Sequence, residues 1–314
     1  DIVNSNMGNV SNTSSGFSRE GKVKRVYDTS DNEIEFEFTD RISVFDKIIP
    51  SEIPFKGETL CREGAFWLKE AEKLGFLTHF IRMTGKNKML VKKVNIIYNY
   101  KKINHNTKNF LIPLEFICRH YVAGSLYDRI EQGKINPKEL GFNKNKVNYG
   151  EKIPEPFVET STKLEPIDRL LDKKEALNIS GLTENEYNNV IESIIKIDSR
   201  MSKIVEKGDL IHVDGKKEFG MNEDRTLMFI DVFGTADEDR FWDKKLYEDG
   251  KTIELSKEFV RQYYFKTGYK KKLYDARENG MPEPDIPALP ENMVKEVSNL
   301  YINMYERITG EKFR

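Results

Sequence analysis

The sequence is poor in the residues that build covalent and metal-based frameworks. Its 314 residues include two cysteines, Cys61 and Cys118, and four histidines. Two cysteines exclude a disulfide framework and are typical of a protein from a reducing compartment, so a cytoplasmic location is expected. The histidines show neither zinc-finger nor HExxH spacing, which argues against a histidine-based metal site.

Long apolar runs and an excess of charge of one sign are also missing. No apolar window approaches about 18 residues, so no transmembrane helix is expected. The formal net charge is −1 at pH 7, which argues against partners recognised by bulk charge, such as nucleic acids and membranes. The polar segment 1–16 lacks the apolar centre of a secretory signal and is predicted to be a flexible tail.

The order of apolar patterns predicts an α+β fold. The stretch "EIEFEFTD" (33–40) alternates apolar and acidic residues, which indicates a half-buried strand. The stretch 183–208 begins with a capping box at Thr183 and Glu186 and carries one apolar stripe, which predicts a long helix. Antiparallel strands come first and mixed elements later, which disfavours a parallel βαβ array. Residues 134–175 are predicted to be irregular, and "KKINHNTKN" (101–109) to be a hairpin tip.

Two carboxylates occur in runs that otherwise suggest buried strands. The segments 216–221 and 226–233 are predicted to form a hairpin whose turn lies between Glu223 and Asp224. Glu218 would then face Phe229, with Asp231 as its diagonal neighbour about 7–8 Å away on the same face. Two such carboxylates can share a Mg²⁺ ion, which would also offset their desolvation. The alternative is a pair of solvent-facing acids on the outer side of the hairpin.

Several cationic positions suggest anion binding. In "GKVKRVY" (21–27), Lys22 and Lys24 would lie on one side of a strand and could hold phosphates, although the chain has no GxxxxGK[ST] sequence. In "CRHYVAGSLY" (118–127), Arg119 and Ser125 flank a glycine turn, which suits a phosphate or carboxylate ligand. The alternative for Lys22 and Lys24 is that they lie on a basic strand exposed to solvent. The alternative for the second stretch is an ordinary turn in which Arg119 is exposed.

Two further loops carry similar residues. Arg240 lies beside two aromatic residues in "ADEDRFWD" (236–243), and such an arginine is often held ready for an anion. Lys163 lies in the hydroxyl-rich stretch "ETSTKLEPIDR" (159–169). A surface network around Arg240 and ordinary turn chemistry in the second stretch remain open alternatives.

Taken together, these stretches resemble the SAICAR synthase (phosphoribosylaminoimidazole-succinocarboxamide synthase) family of purine biosynthesis. The matching segments run in the family's order from about residue 21 to 264: "GKVKRVYDT", "DRISVFDKIIP", "FICRHYVAGSL", "ETSTKLE", "KKEFGM", "FIDVFGTADEDRFWD" and "LSKEFVRQYY". The resemblance implies a ligase. The carboxylate of carboxyaminoimidazole ribonucleotide (CAIR) would be joined to the amine of L-aspartate, with ATP and Mg²⁺ as cofactors.

The resemblance also implies a domain arrangement. Residues 17–117 would form an N-terminal nucleotide-binding domain similar to the small lobe of kinases and to ATP-grasp proteins. Residues 118–314 would form a C-terminal domain that binds ATP and substrate. Each would hold an antiparallel-rich sheet with flanking helices, and ATP would lie in the cleft between them.

Site residues follow from the resemblance position by position. The expected catalytic residues are Glu218, Asp231 and Lys216, and the first two would also hold the metal. The expected ATP-binding residues are Lys22, Val23, Lys24, Lys92, Glu115 and Asp231. The expected CAIR- or aspartate-binding residues are Arg119, Ser125, Lys163, Asp168, Lys216, Asp237, Arg240 and Arg261.

The chain departs from the family pattern at four places, one of which is an apparent insertion near residues 98–109. Ile167 stands where the family usually has histidine before Asp168, which makes the role of that aspartate the weakest transfer. Val232 follows Asp231 where relatives have glutamate. The family's "TPDSSR" is here "TADEDR" (235–240), which keeps Thr235, Asp237 and Arg240.

Two other functions fit parts of the sequence. A small-molecule kinase could use the same kinase-like ATP lobe, and would need no aspartate. A nucleic-acid binder could use "GKNKMLVKKV" and "YKKKLY", although the net charge argues against it. The expected partners are therefore small molecules, with neither nucleic acid nor membrane, and a homodimer is possible.

Overall fold

The structure, a computed structural model, describes residues 17–314; the tail predicted for residues 1–16 lies outside this range. Its strands are β1 Phe17–Glu20, β2 Lys24–Asp28, β3 Glu33–Phe38, β4 Arg41–Val44, β5 Lys47–Glu52, β6 Leu77–Thr78, β7 Phe80–Gly85, β8 Lys88–Lys92, β9 Phe110–Tyr121, β10 Lys152–Thr162, β11 Leu170–Leu171, β12 Leu210–Met221, β13 Leu227–Ile230 and β14 Arg240–Asp243. Its helices are α1 Lys56–Lys73, α2 Gly124–Glu131, α3 Lys173–Ser180, α4 Glu184–Glu206, α5 Lys244–Glu248, α6 Glu258–Lys266, α7 Tyr269–Glu278 and α8 Glu291–Thr309.

Two larger sheets organise these elements, which confirms the α+β prediction. The first has five antiparallel strands in the order β1-β2-β3-β8-β7. The second has seven strands, in the order β11-β10-β9-β12-β13-β6 with β14 also paired to β12. Only the β13–β6 pair in this sheet is parallel. Strands β4 and β5 form a separate two-stranded ribbon.

Helix packing follows the apolar patterns of the sequence. Strand β3 alternates half-buried and buried residues along its length, as its sequence predicts. Helix α4 begins at the predicted capping box, in which Thr183 accepts a hydrogen bond from the backbone of Glu186. It packs against β12, and α1 packs against α8. One apolar core joins residues of both sheets, from Val26 in β2 to Ile308 in α8.

Two local predictions are wrong. The segment 101–109 does not close a hairpin, because β8 belongs to the first sheet and β9 to the second, so residues 93–109 connect the sheets. The segment 134–175 is not irregular throughout, because it contains the long strand β10. Pro154 and Pro156 obscured that strand. They lie where its pairing with β9 is interrupted, the position at which a strand tolerates proline.

The predicted domain boundary falls after residue 117, inside β9. This strand runs through the middle of the second sheet, between β10 and β12. Strand β6, from the N-terminal part of the chain, also pairs with the edge of that sheet. The division at 117 therefore stays a prediction, with β9 as the element shared by the two parts.

No helix within residues 17–314 combines the length and apolar character that crossing a bilayer requires.

Candidate active site

A cavity of about 110 Å³ lies between the two larger sheets. Its walls are apolar on one side, formed mainly by Val26, Ile34, Phe36, Val94, Ile96, Leu111 and Ile230. Charged groups also line it: Lys24, Lys163, Glu218 and Asp231 lie close together. Lys92 lies near the opposite end of the first sheet from Lys24. An apolar slot with fixed charges at one end suits a ligand that has a planar ring and an ionic tail.

The charged side of the cavity continues along one face of the second sheet. Asp214, Lys216 and Glu218 alternate along β12 and therefore share a face. In the neighbouring β9, Arg119 pairs with Asp214, and Glu115 pairs with Glu218. At about 3.3 Å per residue, the two ends of this row lie about 13 Å apart. The row can therefore hold two separate anionic groups of one ligand.

Four buried ionisable side chains meet at the Glu218 end of the row. Lys163 Nζ lies 2.8 Å from Glu218 Oε1 and 4.0 Å from Glu115 Oε1. Lys216 Nζ donates to Glu115 Oε1 at 3.4 Å. Burial raises the pKa of Glu115 to about 8, against the opposing effect of Lys216. Glu218 Oε1 is buried, and the ammonium of Lys163 is its close charged neighbour.

Asp231 joins this group by a different route from the predicted one. Glu218 pairs with Ile230, not with Phe229, so the predicted register is wrong by one residue. In a regular strand that shift would send the two carboxylates to opposite faces. Asp231, however, follows the last paired residue and has a left-handed backbone with φ 58°. Its side chain is thereby freed from the strand alternation, and both carboxylates line the same cavity.

Two neighbours hold Asp231 in this conformation. Lys24 Nζ donates to Asp231 Oδ1 at 2.5 Å. Burial alone would raise the pKa of Asp231, but the Lys24 ammonium holds it well below its usual range. His79 Nε2 lies 3.1 Å from the Asp231 carbonyl oxygen. Burial lowers the pKa of His79 to about 4, so a neutral imidazole donates this bond at neutral pH.

The predicted phosphate-binding lysines separate in the structure. Lys22 does not lie on a strand beside Lys24, because it falls in the turn closed by the bond from Gly21 N to Lys24 O. Lys22 Nζ instead pairs with Asp46 at 2.8 Å, while Lys24 enters the cavity. Val23 lies in the same turn, and its carbonyl accepts a bond from Thr39 N. An ATP contact by Lys22 or Val23 stays a prediction.

The far end of the row is built around two arginines. Arg119 donates to Glu159 at 2.8 Å and to the hydroxyl of Ser125 at 3.2 Å. Arg240 donates to Glu254 at 2.7 Å. Both guanidinium groups lie near Asp214, and the Nη1 of Arg240 is buried without a hydrogen-bond acceptor. A buried donor of this kind is a natural contact for an anion.

Arg261 extends the same network, since it forms an ion pair with Glu254. Arg261 and Arg240 also line a small pocket beside this end of the row. The predicted residues Arg119, Ser125, Arg240 and Arg261 are thus brought into one connected region. Glu159, Asp214 and Glu254, which hold them, were missed by the sequence interpretation.

Gly124 is required by the position of Arg240. It has φ 54°, and a Cβ placed there would lie 2.7 Å from Arg240 Nη1. We expect Gly124→Ala to displace the guanidinium and to raise the KM of the anionic substrate about tenfold or more, a loss of about 1.4 kcal/mol. Steady-state kinetics checks this, with Gly133→Ala as the control. Gly133 also has a positive φ but open space around its Cβ position, so equal KM values in the two variants would contradict the prediction.

Two predicted aspartates have different surroundings. Asp237 accepts hydrogen bonds from Tyr301 at 2.6 Å and forms an ion pair with Lys56 at 2.8 Å. Both of its oxygens are thus engaged by α1 and α8, and a substrate contact stays a prediction. Asp168 is half-buried near the charged row, and burial raises its pKa against the effect of Lys216. A direct ligand contact by Asp168 is likewise untested.

Glu238 is a further half-buried carboxylate near the row. Burial raises its pKa to about 7, opposed by Lys216 and supported by Asp231. Lys24 and Glu218 are its other charged neighbours. The pKa of Glu238 is about 7 in the folded state and about 4.3 in the unfolded state. Between about pH 4 and pH 7 the folded protein therefore binds more protons than the unfolded chain. The stability that protonated Glu238 contributes is therefore present below about pH 4 and is lost as the pH rises to about 7.

We expect Glu238→Gln to reduce the fall in folding stability that accompanies rising pH, because glutamine does not ionise. Relative to the unchanged chain, the variant should gain stability to unfolding as the pH rises from about 5 to 7.5. Urea denaturation at several pH values measures the difference. Glu248→Gln, which changes an exposed glutamate in α5, is the control and should leave the pH profile unchanged. Parallel profiles for Glu238→Gln and the unchanged chain would show that Glu238 titrates normally.

The chain is similar to known proteins along most of its length. The family model described as SAICAR synthetase matches residues 17–276. The phosphoribosylaminoimidazole-succinocarboxamide synthase of Thermoplasma acidophilum is 54% identical over 293 residues, which cover 93% of this chain and 98% of the relative. The synthase of Nitrosopumilus maritimus is 33% identical, with coverage of 94% and 98%.

Solved structures show the same fold. The SAICAR-synthase of Saccharomyces cerevisiae complexed with SAICAR has a TM-score of 0.74 at 23% identity, covering 97% of this chain and 99% of the other. A SAICAR synthetase (Type-2) in complex with ADP has a TM-score of 0.66 at 26% identity, covering 94% and 98%. The likeness therefore extends along nearly the whole chain.

Proposed function

This chain belongs to the SAICAR synthetase family, and we propose from that premise which of its residues carry out the family's reaction. The chain is a ligase of purine biosynthesis that joins the carboxylate of CAIR to the amine of L-aspartate. ATP is converted to ADP and phosphate, and the product is SAICAR. The observation that carries the assignment of residues is the row of charges from Asp214 to Glu218, which begins at the cavity and ends at the paired arginines.

ATP is proposed to occupy the cavity between the sheets. The apolar wall around Val26, Phe36 and Leu111 suits the adenine ring. Lys24 lies among the charged groups, where it would neutralise the phosphates. Lys92 lines the same cavity, and its contact with ATP stays a prediction. Glu115 is bonded to Lys216 within the row, so its predicted contact with ATP would lie near the phosphates and not beside the adenine.

Glu218 and Asp231 fit a Mg²⁺ ion. Both offer hard carboxylate oxygens, the ligands that Mg²⁺ prefers. Glu218 Oε1 is buried with the Lys163 ammonium as its close charged neighbour, and the lowered pKa of Asp231 keeps that carboxyl ionised. When bound there, Mg²⁺ would supply positive charge next to the transferring phosphoryl group. Lys163 now balances Glu218 and would remain as a second cation beside the reacting groups.

CAIR is proposed to lie along the row of charges. Its phosphate would contact Arg119, Ser125, Arg240 and Arg261, where the buried Nη1 of Arg240 has no acceptor. Its carboxylate would then reach toward Lys216 and Glu218, near the phosphates of ATP. The residues of β12 hold both ends at fixed positions. This positioning is the main contribution that a phosphoryl-transfer site makes.

The reaction needs an activated carboxyl group, because a carboxylate is a poor electrophile. A carboxylate oxygen of CAIR attacks the γ-phosphorus, and the bond from that phosphorus to ADP breaks. The amine of aspartate, having lost a proton, then attacks the carbonyl carbon, and the C–O bond to phosphate breaks. Lys24 and Lys216 stabilise the negative charge that moves in the first step. No side chain forms a covalent bond in this scheme.

Dependence on L-aspartate tests this function against a kinase. ADP release is followed by a coupled assay with CAIR and Mg²⁺, with and without L-aspartate. The ligase releases ADP in proportion to SAICAR formed and ceases sustained turnover when aspartate is omitted. Undiminished ADP release without aspartate would instead identify a kinase. A homodimer and a cytoplasmic location remain predictions that this assay does not address.

A further inference from the structure

A second cavity lies between the second sheet and helix α4. Its volume is about 660 Å³, and it is bounded by β9, β12, the start of β10, α4 and α5. On β9, Arg119 belongs to the row of charges, whereas the next residue, His120, lines this second cavity. The cavity shares no lining residue with the cavity proposed for ATP.

One nitrogen of a buried imidazole in its wall lacks a hydrogen-bond partner among residues 17–314. The side chain of His212 is fully buried and lines the cavity. Its Nε2 lies 2.6 Å from Asp239 Oδ2, so the proton on that nitrogen is donated to the carboxylate. Its Nδ1 has no hydrogen-bond partner among the described residues. A buried polar atom without a hydrogen bond destabilises the folded state unless a ligand or a water molecule forms that bond.

Three lysines, two glutamates (Glu206 and Glu248) and two hydroxyl groups surround the opening. Lys152, Lys203 and Lys244 contribute ammonium groups, and Ser199 and Ser202 lie on the same exposed side of α4. Lys244 is paired with Glu206 at 3.1 Å. Within residues 17–314, neither Lys152 nor Lys203 forms an ion pair. Two uncommitted ammonium groups favour an anion over a metal ion at this position.

The remaining wall is apolar and partly aromatic. Tyr121 and Tyr247 meet edge to face with ring centroids 5.6 Å apart. Ile153, Pro154 and Pro156 continue this wall from the start of β10. A surface of this kind binds the ring or hydrocarbon body of a ligand, and the lysines bind its charged group.

We propose that this cavity is a second ligand site, which takes a small organic anion with a phosphate or carboxylate group attached to a ring. The anionic group binds Lys152 and Lys203, and the ring lies against Tyr121 and Pro154. The site does not depend on the reaction assigned to the cleft.

Calorimetric titration of the full chain with phenyl phosphate tests the site. A parallel titration with benzoate distinguishes a phosphate from a carboxylate preference, and neutral phenol serves as the uncharged control. ADP and Mg²⁺ are present throughout. We expect saturable binding of at least one of the two anions, and no binding of phenol, at concentrations up to about 10 mM, where weak ligands are detected.

Variants locate the binding event. Lys152→Gln combined with Lys203→Gln should weaken it about tenfold or more, because both exposed ammonium groups are removed while the core is untouched. Lys245→Gln changes a neighbouring lysine that does not line the cavity, and should bind like the unchanged chain. Binding of equal strength in the double variant, or no binding of either anion, would overturn the proposal. Because no turnover is measured, the result is independent of the proposed ligase activity.

Discussion

Glu218→Gln is expected to lower kcat about 10²- to 10³-fold or more while the chain stays folded. The amide has almost the same shape as the carboxylate but has lost the charge that a Mg²⁺ ligand supplies. Lys163 still has Glu115 at 4.0 Å, so the substitution does not leave that buried ammonium without an acidic neighbour. The coupled ADP assay measures the loss, and circular dichroism shows whether the fold is retained.

Glu223→Gln is the matched control for this prediction. Glu223 lies in the exposed turn of the same hairpin, so its substitution removes the same charge without touching the cavity. It should leave kcat within about twofold, the effect expected of a surface substitution. A folded Glu218→Gln variant that kept more than about one tenth of the activity would contradict the metal-binding role.

Lys24→Gln is expected to lower kcat/KM for ATP about 100-fold. The substitution removes a cation from the charged side of the cavity and the partner of Asp231, whose ion pair measures 2.5 Å. Steady-state kinetics with ATP as the varied substrate measures the effect. Lys22→Gln is the matched control, because Lys22 is two residues away and pairs with Asp46 outside the cavity.

The expected result for Lys22→Gln is a change of less than about fivefold, close to that of an exposed ion pair. A loss equal to that of Lys24→Gln would mean that the turn containing Lys22 closes on the nucleotide, as the sequence resemblance implies. Equal and small effects in both variants would remove the early lysines from the phosphate-binding role.

The register of the β12–β13 hairpin shows where local sequence reasoning stops. The predicted hairpin has a four-residue loop, 222–225. The observed loop between Met221 and Leu227 has five residues, and one of them, Arg225, has a left-handed backbone with φ 55°. Arg225 donates to the carbonyl oxygens of Thr107 at 2.6 Å and Gly181 at 2.8 Å. These partners are distant in sequence. The contacts that hold the turn were therefore invisible in the hairpin's own residues.

Composition and pattern were sufficient for the fold class, the long helix α4 and the half-buried strand β3. The charged row was recognised only through the family resemblance, because each segment alone could also be explained by solvent-exposed side chains or an ordinary turn. Residues that support the row from outside the recognised motifs were missed, as His79 illustrates. It reaches the Asp231 carbonyl from β6 and its following turn, through a parallel strand pair that periodicity does not reveal.

The position of a bound divalent ion tests the central claim most directly. Mn²⁺ replaces Mg²⁺ at oxygen-ligand sites and gives an anomalous X-ray signal. In crystals grown with Mn²⁺ and ADP, we predict a single strong anomalous peak in the cavity, within about 2.0–2.6 Å of a carboxylate oxygen of both Glu218 and Asp231. A peak bound by neither carboxylate, or the two side chains turned away from each other around bound ADP, would contradict the account.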